Sequence, residues 1–151
     1  MTQSSLSEAE MASWLRFRFT VEETSLRVSR ELARATGISV GQFGILNTLT
    51  KATGGELRQQ KLTDLMRWDR TRASHQLTRM AKAGLVQRVK RPPKGTAILI
   101  TELGRSELGR IRPVLAKAVR KHYFARLTPA QLKAVDDLAA ALRDCADVFT
   151  T

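Results

Sequence analysis

The chain has 151 residues, with 26 Lys and Arg against 14 Asp and Glu, a net charge of +12. That length gives one domain of ordinary size with a real core, and that charge makes a polyanion the expected partner class. No apolar run approaches the roughly 18 residues of a membrane span, residues 1–10 lack the basic and apolar regions of a secretory signal, and the single cysteine, Cys145, excludes an internal disulfide framework and a Cys-rich zinc site. The expectation is a cytoplasmic, nucleoid-associated protein with no membrane partner, no metal and no cofactor.

The first predicted element is a long helix from Glu8 to Ala35, opened by a capping box of Ser7 and Glu10 and stopped at Gly37. Met11, Trp14, Leu15, Phe17, Phe19, Val21, Leu26, Val28 and Leu32 cover more than one of its faces. Such a wide apolar arc contacts more than the helix's own domain core. Ser39 and Gln42 open a second, short helix carrying Phe43, Ile45, Leu46 and Leu49, ended near Gly54–Gly55. Leu57 fits a very short strand. Gln59 to Arg67 reads as a third helix with Leu62, Leu65 and Met66 facing in. Asp69 caps a fourth, from Arg70 to Ala83, with Ala73, Leu77 and Met80 as its apolar line and Gly84 as its stop.

The period then changes. Leu85–Val89 and Thr96–Ile100 are β-rich runs separated by the charged turn Lys90-Arg91-Pro92-Pro93-Lys94-Gly95, which predicts a hairpin. Thr101 caps a fifth helix, from Glu102 to about Ala125, in which Pro113 predicts a kink or break. Its stripe is Leu108, Ile111, Leu115, Val119 and His122. Thr128, Pro129 and Gln131 open a last helix with a narrow seam of Val135, Leu138, Leu142, Cys145 and Phe149. The fold class is thus mainly α with a small β-hairpin wing (α+β): a winged helix-turn-helix flanked by long helices with apolar surface to spare.

Eleven of the basic residues and only two acids, Asp64 and Asp69, fall between Arg58 and Lys94, so a quarter of the chain carries +9. Concentrated positive charge attracts phosphates. With Ala73, Leu77 and Met80 facing inward, the opposite face of the fourth helix presents Thr71, His75, Thr78 and Lys82, flanked by Arg72 and Arg79. These groups can address base edges and phosphates in a major groove. Arg72, His75, Thr78 and Arg79 are the candidate base readers. Arg70, Thr71 and Lys82 sit closer to phosphates, and Ser74 lies on the same helix. Arg88, Lys90, Arg91 and Lys94 are the candidate wing contacts. The competing reading is a solvated cationic face. The sequence contains no Gly-rich phosphate loop, nucleophile elbow or His–carboxylate pairing that would suggest an enzyme.

The run Trp68-Asp69-Arg70-Thr71-Arg72-Ala73-Ser74-His75-Gln76-Leu77-Thr78-Arg79-Met80 resembles the recognition helix of the MarR family of winged-helix transcriptional regulators. Gly84–Arg88 is similar to that family's entry to the wing, Ile100–Gly104 to its step into the fifth helix, and Leu127–Leu132 to the start of its last helix. The resemblance spans Ser7 to Asp147. It implies a homodimer, divided as 1–35 (dimerisation), 36–101 (winged helix-turn-helix) and 102–151 (dimerisation), with Met11, Leu15, Leu115, Val135, Leu138, Leu142 and Phe149 at the subunit contact. It also implies a repressor on a pseudo-palindromic double-stranded operator. The family's wing carries Asp-x-Arg; here Pro92 and Lys94 take those positions, so the cation survives without its brace. A small aromatic effector site lies in such proteins between dimerisation and DNA-binding parts, where Trp14, Phe17 and Phe43 are candidates; composition alone reads them as core aromatics. Cys145 as a redox sensor stands against Cys145 as a small buried hydrophobe. The alternative function is a nonspecific or architectural DNA-binding protein.

Overall fold

The computed structural model describes residues 5–93 and 95–142. Helix α1 (Glu8–Thr36) begins at the expected capping box: the Glu10 amide donates to Ser7 Oγ at 3.3 Å and the Ser7 amide to Glu10 Oε2 at 2.8 Å. It ends at Gly37, whose φ of 73° suits a residue without Cβ. The second box, Ser39 with Gln42, opens α2 (Val40–Lys51). Strand β1 (Glu56–Arg58) centres on Leu57. Helix α3 (Gln59–Leu65) stops two residues short of expectation, because Arg67 takes a left-handed φ of 51° to turn the chain into α4 (Arg70–Lys82). Strands β2 (Val86–Lys90) and β3 (Thr96–Ile100) form the hairpin.

Helix α5 (Glu102–His122) is unbroken at Pro113. The prediction of a break there fails because Pro113 and Gly109, whose carbonyl loses its helical donor, are both exposed to water. The chain leaves α5 through a 3-10 turn at Phe124–Arg126, three residues earlier than expected, and enters α6 (Pro129–Leu142) through a Thr128–Gln131 box.

The sheet order is β1-β3-β2, antiparallel throughout, with Leu57 opposite Ile98 and Arg88 opposite Ile98 on the other side. Its inner face joins Ile45, Leu46, Leu49, Leu62, Leu77, Met80 and Leu108 in one aliphatic cluster. Burial of each such side chain contributes about 1.5–3 kcal/mol. Thr101 ties the turn after α4 to α5: its hydroxyl donates to the Gly84 carbonyl at 2.6 Å and accepts the Gly104 amide at 3.0 Å.

The C-terminal part of α1 runs antiparallel to α5, with Glu31 at Lys121 and His122 and the Thr36 carbonyl at Arg110. The N-terminal part is uncovered. Trp14 is 53% exposed, and Met11, Phe17, Phe19, Val21 and Leu26 are exposed as well, so Trp14 and Phe17 are not core aromatics of the protomer. Helix α6 buries no residue, and Val135, Leu138 and Leu142 all face solvent. Leu15 is half-buried. Leu115 departs from this set, lying inside a cleft of its own protomer. Cys145 and Phe149 lie outside the described residues. Among the described residues no helix is long and apolar enough to cross a membrane.

Candidate nucleic-acid interface

Helix α4 is positioned from both ends. Asp69 Oδ1 accepts the Arg72 amide at 2.8 Å at its start, and the Leu85 amide donates to the Met80 carbonyl across Gly84 at its end. Ala73, Leu77 and Met80 are buried on one side, as the spacing predicts. Arg70, Thr71, Arg72, His75, Thr78, Arg79 and Lys82 are exposed; Ser74 is half-buried. The exposed side of α4 therefore displays cations, hydroxyls and an imidazole, and the helix contains no acid.

Among the described residues, two of these groups have partners within the protein. The Arg72 guanidinium lies over the Trp68 ring, 4.6 Å from its centroid. Trp68 is half-buried and packs so close to α2 that a Cβ on Gly41 would sit 2.8 Å from its ring. The second is Thr78: Arg88 Nη2 donates to the Thr78 hydroxyl and to the Ser74 carbonyl, both at 3.1 Å. Arg88, read from the sequence as a DNA contact of the wing, joins β2 to α4 through this one nitrogen.

The wing is held in the same way. Arg91 forks onto Glu56 of β1, and Arg58 donates to the Arg91 and Pro92 carbonyls. A carboxylate thus does hold a wing cation, from β1 rather than from the Pro92 position. The Arg91 fork holds the Glu56 carboxyl below the usual carboxylate range, and Glu56 raises Arg91 in turn. Lys90 is exposed; Lys94 lies outside the described residues. Glu56 and Arg58 were not legible as wing residues, because only the β1–β3 pairing brings them there. Their one sequence signal is alternation about Leu57, which puts both on one face of the strand.

A cleft of about 1040 Å³ lies between α1, α2, the start of α4 and α5. Phe43, Met66, Trp68, Leu115 and Tyr123 line it, with Lys51 and Arg72 as its cations. Of the aromatics expected at an effector site, Phe43 lines this cleft. Trp14 and Phe17 do not; they pair with each other on the open part of α1, ring centroids 6.3 Å apart. The sequence missed Trp68 and Tyr123 as lining residues because helix packing, not spacing along the chain, gathers them.

No protein-family profile matches the sequence, and comparison with curated protein sequences finds no match. Solved structures do match. A MarR family transcriptional regulator from Streptomyces coelicolor, in complex with DNA, superposes with a TM-score of 0.83 at 26% identity, over 96% of each chain. AbsC, a MarR family transcriptional regulator from the same organism, gives 0.80 at 24% identity, over 95% of this chain and all of its own. The Streptomyces coelicolor regulator PcaV, in complex with its natural ligand, gives 0.70 at 20% identity, over 96% of this chain and all of its own.

Proposed function

For this chain, which carries the MarR winged-helix fold, we propose a DNA-binding transcriptional regulator that acts as a homodimer on a pseudo-palindromic operator. The observation that carries this reading is the exposed face of α4, cationic and hydroxylic along its length and seated on a buried Ala73–Leu77–Met80 line. The neighbour solved in complex with DNA supports it.

Segments 1–35 and 102–151 form the dimerisation part, and 36–101 the DNA-binding part. The uncovered apolar residues of α1 and α6 support the dimer: a free-standing α6 buries nothing, and a helix of that length is marginal alone. A two-fold dimer presents its two α4 helices to successive major grooves, roughly 10 base pairs apart. Arg72, His75, Thr78 and Arg79 address bases; Arg70, Thr71 and Lys82 address phosphates. Repression by occupying the operator is the expected output, in the cytoplasm at the nucleoid.

The cleft between α1, α2 and α5 is the proposed effector site, for a small aromatic compound. Its lining of Phe43, Met66, Trp68 and Tyr123 supports this, and so does the neighbour solved with its natural ligand. The test of the main reading is selection of bound duplexes from a random pool. Two inverted half-sites one helical turn apart support it. A pool that stays random identifies a nonspecific DNA-binding protein instead.

A further inference from the structure

Strand β3 lies between β1 and β2, so β1 and the β2 side of the wing are not neighbours in the sheet. Side chains of β1 nevertheless reach the wing tip. Glu56 accepts from Arg91 Nε on Oε1 at 2.8 Å and from Arg91 Nη2 on Oε2 at 2.6 Å. Arg58, two residues on and on the same face, donates from Nη1 to the Arg91 carbonyl at 3.2 Å and from Nη2 to the Pro92 carbonyl at 2.6 Å. One residue of β1 grips the side chain of Arg91 while the other grips its backbone.

A guanidinium has five N–H donors, and the fork on Glu56 uses two, so three remain. The Arg91 side chain is 43% exposed and that of Glu56 25%, which puts the acid behind the base as seen from solvent. Arg91 is thus ordered, still cationic, and open on its outer edge.

We propose that Glu56 is a positioning residue for DNA binding: by fixing Arg91 in its fork, it presents the free edge of that guanidinium to a phosphate of the duplex read by α4. This rests on the reading of the chain as a DNA-binding regulator. Arginine can serve a carboxylate and a phosphate at once, because its planar fork offers separate edges to each. Ordering the side chain before DNA arrives lowers the entropy lost on binding. Against this gain stands the repulsion between Glu56 and the phosphates, so the sign of the effect of removing the carboxylate charge distinguishes a brace from a mere neutraliser.

The experiment is fluorescence anisotropy with a labelled duplex bearing the pool-selected site, over 50–200 mM NaCl. The proteins are wild type, E56Q, R91A, R91K and the E56Q/R91A double variant, each also melted to confirm folding. The expected result is a severalfold weaker E56Q despite the lost negative charge, and an R91A salt slope shallower by about one phosphate contact. The double variant should bind no more weakly than R91A. R91K, which keeps the charge without the fork, should lose affinity while retaining its slope. Wild-type-like or tighter binding by E56Q, or an unchanged slope in R91A, overturns the positioning role and leaves the regulator reading intact. Wild type that prefers no duplex overturns both.

Discussion

Arg88 on β2 donates to the Thr78 hydroxyl on α4 at 3.1 Å, so a wing cation and a recognition-helix side chain are committed to each other in the free protein. The same nitrogen donates to the Ser74 carbonyl, which fixes the hairpin to the helix at two points. The hairpin and α4 are therefore tied to each other at this seam before any ligand is bound.

Replacing Arg88 with Ala removes that tie. Melting should fall by roughly 2–4 °C for each kcal/mol lost in a protein of this size, and about 1 kcal/mol is expected of these exposed hydrogen bonds. Operator affinity should drop while the salt slope stays near the wild-type value, because this guanidinium serves the protein. A slope reduced by one would show that Arg88 contacts a phosphate instead.

Arg72 and Lys94 should divide the work differently. Arg72→Ala is expected to flatten sequence preference, losing about 1–3 kcal/mol of discrimination if it grips a guanine. Lys94→Ala should weaken binding to operator and scrambled DNA alike. Competition titrations of both variants on both duplexes check this, and equal losses everywhere for Arg72→Ala would remove its reading role.

Gly104 accounts for the glycine in the step from β3 to α5. A Cβ there would come within 2.2 Å of the Leu85 carbonyl oxygen and 2.9 Å of an Ile100 side-chain carbon. Gly104→Ala should therefore cost about 1–3 kcal/mol or more by forcing the α4 exit away from α5, visible as a lower denaturation midpoint. A midpoint unchanged from wild type would mean that the two segments part easily.

The exposed seam of α6 should be filled by a second copy of the chain. A Leu138→Glu, Leu142→Glu pair places two charges on that seam and should yield monomers by sedimentation, with reduced helicity from α6. Dimers of undiminished stability in the variant would relocate the subunit contact.

Glu31 links α1 to α5 by accepting from Lys121 Nζ at 2.9 Å, with His122 Nε2 at 2.7 Å from the same oxygen. The hydrogen bonds from Lys121 and then His122 hold its carboxyl below the ordinary 4.5. A carboxylate lowered in the folded state stabilises above its unfolded value, and that contribution fades as pH falls through the folded one. The melting gap between wild type and Glu31→Gln should be open at pH 6 and close in acid, below 4.5. A gap independent of pH would assign Glu31 a packing role alone.

The elements were legible in the sequence where chemistry is local. Ser7 with Glu10, Ser39 with Gln42 and Thr128 with Gln131 announce their helices because a cap is made within four residues. Ala73, Leu77 and Met80 likewise announce the inward side of α4. What stayed illegible depends on chain segments far apart. Glu56 meets Arg91 across 35 residues, and Trp14 is left in solvent, because packing decides which aromatic is covered. Pro113 reads as a kink or a break, yet α5 continues through it, because water can take the Gly109 carbonyl that loses its helical donor.

The central claim is sequence-specific binding by a dimer. Its most direct test is anisotropy of the purified protein near physiological salt, on the intergenic DNA upstream of its own gene and on a scrambled duplex of equal length. The account predicts a preference of about a thousandfold or more, with two subunits bound per site. Equal, salt-labile binding to both duplexes would contradict it.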